Sequence, residues 1–140
     1  MRTFEEIKNT IETGLGMHAC DLKIENVKLV NVFSGEVYPT NIYIKNKRIV
    51  SIDPSADLEA KKVLDGNGQY ALPGLIDAHM HFESTMLSPE ALASVVVPQG
   101  TTTMCADLME IANVAGEEGL RAMLQSMNRL PYRMLIEVSS

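Results

Sequence analysis

Leu72-Pro73-Gly74-Leu75-Ile76-Asp77-Ala78-His79-Met80-His81-Phe82-Glu83 is the stretch on which the fold turns. Pro73-Gly74 punctuates its start, and the apolar run that follows reads as a strand from Leu75 to Phe82. Side chains alternate along a strand, so Asp77, His79, His81 and Glu83 are expected on one face. Ala78, Met80 and Phe82 fall on the other, an apolar set suited to packing beneath helices. The polar row sits on a strand that should be buried, where leaving the groups unpaired is costly. Two imidazoles two residues apart on one face can ligate a single metal ion. His-X-His also arises by chance, so the surrounding pattern decides its weight.

Downstream the pattern is regular. Ser88-Pro89-Glu90 starts a helix, with Ser as N-cap, Pro at the first helical position and an acid in the first turn. Leu92, Val95 and Val96 are expected to face inward, and Pro98 and Gly100 end the helix. Thr101 to Ala106 reads as a second strand. A second helix spans Glu117 to Leu130, with Leu120, Met123, Leu124, Met127 and Leu130 on one stripe. Pro131 breaks it, and Arg133 to Ser139 reads as a third strand. This β-α-β-α-β order implies parallel strands joined by crossover helices. The His pair lies near the C-terminal end of the first strand, the end where sites form in such folds.

Upstream the period differs. Phe4, Ile7, Ile11 and Leu15 make one helical stripe, ended by Gly14 and Gly16. Alternating segments follow at Leu22–Glu25, Val27–Val30, Ile42–Lys45 and Ile49–Ile52, predicting a small β-sandwich or curled antiparallel sheet. Lys45-Asn46-Lys47-Arg48 reads as a solvated hairpin tip. Ser55 to Lys62 is a polar connector, and Val63 to Asp65 a short strand entering a turn. His18 stands alone and reads as a surface histidine.

Composition sets the outer bounds. The 140 residues carry 12 Lys+Arg against 18 Asp+Glu, a net charge of −6, with 46% hydrophobic and 21% charged residues. These proportions suit a folded chain rather than a disordered one. An acidic balance without a basic cluster argues against a nucleic-acid partner. No apolar run is long enough to span a bilayer, and no secretory leader is visible, so neither membrane nor export is expected. Cys20 and Cys105 read as two reduced structural thiols in a cytoplasmic protein.

Taken together, Leu72-Pro73-Gly74-Leu75-Ile76-Asp77-Ala78-His79-Met80-His81 resembles the Pro-Gly-x-Ile-Asp-x-His-x-His opening of the amidohydrolase superfamily. Val30–Val37, Ile42–Ile52 and Leu64–Gly68 are similar to the N-terminal part of that superfamily's sandwich. Within it, His81–Pro89 is similar to the His-x-Glu-Ser-x-Met-x-x-Pro stretch of the adenine deaminases. Gln99–Thr103, Ala106-Asp107 and Glu110–Gly116 resemble their second-strand segment. One position departs. Those enzymes usually read Asp-Pro-His-Glu-Ile where this chain has Asp107-Leu108-Met109-Glu110-Ile111, so a histidine becomes Met109, expected as an altered pocket wall.

The resemblance implies an α/β fold: the first three or so strands of a metal-dependent (β/α)8 TIM barrel, preceded by an N-terminal helix and a small β-sandwich. The implied organisation is a helical extension over 1–20, the N-terminal part of a composite sandwich over 21–71, and the barrel's start over 72–140. It further implies a divalent metal, Mn²⁺ ahead of Fe²⁺ or Zn²⁺, held by His79 and His81. Asp77, Glu83, Asp107 and Glu110 are pocket or ligand-supporting candidates. No histidine follows His81, and a complete barrel takes about 250 residues. The remaining ligands and the acid/base carboxylate are therefore expected beyond Ser140. The implied substrate is a small molecule, adenine or a related 6-aminopurine, hydrolysed to hypoxanthine and ammonia by an intact homo-oligomer. The alternatives are another cyclic amidohydrolase, of dihydroorotase or hydantoinase type, or a non-catalytic fragment or subunit.

Overall fold

The computed structural model describes residues 2–128 and 130–138. They form two compact units, Met1–Pro73 and Gly74–Ser140.

The first unit opens with helix α1 (Phe4–Gly14). Its start is a capping box: the Thr3 hydroxyl accepts from the Glu6 N–H, and the Glu6 carboxylate accepts from the Thr3 N–H. The expected apolar stripe is only partly packed, with Ile11 and Leu15 at the rim of a cleft beside Ile49 and Val50. Phe4 is 76% exposed and Leu15 69%. The side that packs carries Thr13, fully buried, and Gly14, where an added Cβ would sit 3.2 Å from the Val50 carbonyl oxygen. Small residues let the helix backbone approach the sheet closely, and that contact sets its rotation.

Five strands follow: β1 (Leu22–Val30), β2 (Val37–Lys45), β3 (Arg48–Ile52), β4 (Val63–Asp65) and β5 (Tyr70–Ala71). They make one sheet in the order β3-β2-β1-β4, with β5 also on β1. The β1–β2 and β2–β3 pairs are antiparallel, but β4 and β5 run parallel to β1, so the sheet is mixed rather than antiparallel throughout. The segments Leu22–Glu25 and Val27–Val30 are one strand, bulged around Asn26 at φ 55°. Asn46 and Lys47 take φ of 51° and 59°, the two left-handed residues of a tight hairpin turn. Lys45 is not part of a solvated tip. It is buried, and its ammonium donates to the Ala19 carbonyl at 2.9 Å and lies 3.5 Å from Asp21 Oδ1.

The second unit contains β6 (Leu75–His81), α2 (Pro89–Val96), β7 (Thr101–Asp107), α3 (Met109–Met127) and β8 (Arg133–Glu137). Its three strands are parallel in the order β6-β7-β8, as the alternating pattern predicts. Ser139 lies outside the described residues. The core on the helix side joins Phe82, Leu92, Ala93, Met104, Ala106, Leu108, Met127 and Tyr132. Ala93 takes the buried place expected for Val95, which is 57% exposed. Gly74 permits β6 to lie against β7, since an added Cβ would come within 2.7 Å of the Thr102 Cβ. Helix α3 has two arms separated at Gly116, where φ is 60° and ψ −152°. The Glu117–Leu130 periodicity captures only the second arm, because the glycine resets the helical phase. Among the described residues no helix is long and apolar enough to cross a membrane.

Candidate metal centre

The carboxyl ends of three parallel strands bring together residues far apart in sequence. His81 pairs with Asp107, and Asp107 with Glu137, so one row of polar residues crosses β6, β7 and β8. Directly paired residues of parallel strands share a face, and this face is the one turned away from Met104 and Ala106 in the core.

The two imidazoles stand with ring centroids 5.3 Å apart and planes at 86°. His79 Nδ1 lies 2.8 Å from Glu137 Oε2. His81 Nδ1 is buried without a hydrogen-bond partner, a state that costs about 1–3 kcal/mol for a polar group left unsatisfied.

The predicted one-face row is interrupted at its lower end. Between Asp77 and Met80 the β6–β7 register slips: Asp77 pairs with Met104, and Met80 with Ala106. Three steps on β6 against two on β7 make a bulge, so Asp77 leaves the alternation of His79 and His81. Its carboxylate accepts from the His79 backbone N–H at 3.2 Å, which fixes the main chain where the bulge begins.

Glu83 is likewise off the strand, in the 3-10 turn Glu83–Thr85. Its Oε1 accepts from the Ile111 N–H at 2.8 Å. Ile111 lies in the first turn of α3, so Glu83 is a remote cap placing negative charge at the helix's positive end. Its Oε2 is buried and has no hydrogen-bond partner. Beside it the Ser84 hydroxyl donates to Glu110 Oε1 at 2.7 Å. Asp107 Oδ1 accepts from the Met109 N–H at 3.0 Å. Met109 lines a cleft of about 450 Å³ with Asp107, Asn113 and Glu137.

Sequence reasoning missed Glu137. The available signal was its place at the end of the third strand, equivalent to Asp107 on the second. Cys105, read from the sequence as a structural thiol, is not in the core. It is half-buried, and alternation puts it on the face of Asp107 rather than with Met104 and Ala106. His18 is a surface residue, as expected, with Nε2 3.2 Å from Glu12 Oε2.

The donor set fits a divalent cation. Imidazole nitrogen suits zinc and iron, and carboxylate oxygen suits manganese. Between Lys62 and Arg121 the sequence contains no Lys or Arg, while Asp77, Glu83, Asp107 and Glu110 all fall there. Carboxylates fringing a site favour positive charge there. Among the described residues no group of three or more His, Cys, Asp or Glu is arranged to hold an ion.

The model of the amidohydrolase family matches residues 70–140. An adenine deaminase of Desulforamulus reducens is 49% identical over 130 residues, which is 93% of this chain and 22% of that protein. An adenine deaminase of Thermosipho melanesiensis is 44% identical over 96% of this chain and 23% of its own length. The chain thus spans less than a quarter of these curated relatives. Among solved structures, a mutant atrazine chlorohydrolase of Arthrobacter aurescens complexed with zinc and atraton superposes with a TM-score of 0.65 at 16% identity. That match covers 85% of this chain and 36% of the enzyme. A D-hydantoinase gives 0.57 at 20% identity, over 84% of this chain and 27% of its own. Both likenesses are of fold alone. With half its length matched by the family model and a strand-borne His-X-His at the expected place, the chain belongs to the amidohydrolase family.

Proposed function

We propose that this chain forms the first part of a metal-dependent hydrolase of C–N bonds that converts adenine and water to hypoxanthine and ammonia. The observation that carries the reading is the His79–His81 pair at the carboxyl end of β6. Support comes from identities of 44 to 49% with adenine deaminases over nearly the whole chain.

His79 and His81 would hold the ion, manganese first, with iron or zinc as alternatives. Zinc is named in the structures of the chlorohydrolase and of an N-acyl-D-glutamate deacylase that share the fold. When bound, a divalent ion supplies Lewis acidity and makes water easier to deprotonate near neutral pH.

The chain's own residues do the positioning. Asp77 holds the backbone of His79 through its N–H. Glu83 ties the segment after β6 to the start of α3, and the adjoining Ser84–Glu110 bond holds a carboxylate at the mouth of the strand ends. Met109 gives the cleft beside Asp107 an apolar wall. Where the adenine deaminases carry histidine, a thioether offers a purine edge packing in place of a strong hydrogen bond.

The other ligands and the acid/base carboxylate come, in this reading, from segments outside these 140 residues, in a cytoplasmic homo-oligomer without nucleic-acid or membrane partners. Residues 21–71 contribute to a composite sandwich in the same enzyme. Mixing adenine with the manganese-loaded longer polypeptide and measuring ammonia tests the proposal. Stoichiometric ammonia and hypoxanthine are expected. Ring opening of a hydantoin or dihydropyrimidine, with adenine untouched, would move the reading to the cyclic amidases.

A further inference from the structure

We propose that Glu137 is a positioning residue for His79: its carboxylate fixes the tautomer and direction of the ring so that Nε2 faces a divalent ion. The inference rests on the metal reading above and adds a residue that neither the motif nor its spacing identifies.

His79 Nδ1 and Glu137 Oε2 are 2.8 Å apart, although 58 residues separate them. An ionised carboxylate offers lone pairs only, so the hydrogen in that contact sits on Nδ1. In a neutral imidazole the lone pair is then on Nε2, which is the form a metal takes. No other hydrogen bond to the His79 ring is present among the described residues. Glu137 alone therefore selects the tautomer.

Chain length matters as much as charge. His79 is on β6 and Glu137 on β8, with β7 between them. Neighbouring strands lie about 4.8 Å apart, so two spacings separate the backbones by roughly 9.6 Å. Imidazole and glutamate together close that gap. An aspartate, one methylene shorter, keeps the charge and loses the contact. The two side chains are 56% and 38% exposed, so the hydrogen bond, rather than packing, is what restrains the ring.

The test compares the longer polypeptide, which supplies the remaining ligands, with its Glu137→Ala and Glu137→Asp variants. Long-range ¹H–¹⁵N correlation spectra of the metal-free proteins at pH 8 report which nitrogen of His79 is protonated. Titration with Zn²⁺ alone reports affinity, and thermal melting confirms folding. The wild type is expected to show Nδ1–H, and both variants to shift toward Nε2–H. Zn²⁺ affinity should fall about 10- to 100-fold, the usual effect of removing a group that orients a ligand. Zn²⁺ uptake by the wild type, with tautomer and affinity unchanged in Glu137→Ala, overturns the positioning role alone. A tautomer that follows Glu137 without Zn²⁺ uptake in any of the three proteins overturns the metal reading instead.

Discussion

Glu83, in the turn that follows β6, accepts a hydrogen bond at 2.8 Å from the N–H of Ile111, 28 residues later in the first turn of α3. The contact links the segment carrying the His pair to the helix that places Met109 and Glu110. It serves the helix in two ways, by satisfying one orphan N–H and by setting negative charge at the positive end.

Removing that carboxylate should loosen both segments. Glu83→Ala is expected to lower stability by about 1 kcal/mol, the usual cost of losing a helix cap. The loss is limited because the variant also removes a buried, unpartnered oxygen. Urea denaturation of the two proteins measures it. Equal midpoints and slopes would mean that the cap contributes nothing.

Gly74 is held by space rather than by dihedral angle. Its added Cβ would come within 2.0 Å of the Thr102 hydroxyl oxygen and 2.7 Å of the Thr102 Cβ. Gly74→Ala should therefore destabilise the chain by about 1–3 kcal/mol, as overpacking does. A melting temperature equal to the wild type's would show that β6 and β7 can separate without loss.

Asp21 sets an acid limit on the first unit. The Asn46 backbone N–H, foremost, and the Lys61 ammonium hold its carboxyl down at about 2, from a usual value of 3.8. A depressed folded-state pKa stabilises above the unfolded value and loses that contribution as pH falls through the folded one. Stability of the wild type should drop between about pH 4 and pH 2. Asp21→Asn should be less stable near neutrality and show a flatter acid limb, as measured by urea midpoints at several pH values. Parallel curves would contradict the assignment.

Met109 is 43% exposed on the cleft wall. Met109→His should change stability by less than about 0.5 kcal/mol, as partly exposed substitutions commonly do. In the longer polypeptide it should alter adenine turnover. An effect on melting and none on turnover would place Met109 in the fold rather than the pocket.

Much of the second unit was legible from the sequence. Pro73-Gly74, the Ser88-Pro89 start and the β-α-β-α-β order are local signals, and local chemistry carried them into the structure. The features that escaped depend on register or on distant packing. The bulge between Asp77 and Met80 follows from how β6 lies on β7. The His79–Glu137 contact requires knowing which ends of β6 and β8 coincide. The first arm of α3 was hidden because Gly116 breaks the periodicity that reveals the second. In the first unit, α1 was read by its apolar stripe, whereas Thr13 and Gly14 govern its docking by letting the backbones come close.

His79 and His81 are proposed to hold a divalent ion. Elemental analysis of the manganese-loaded longer polypeptide, beside its His79→Ala and His81→Ala variants, tests it most directly. The wild type is expected to retain metal through extensive dialysis and each variant to lose most of it. Unchanged metal stoichiometry in both variants would remove the pair from the ligand set and contradict the account.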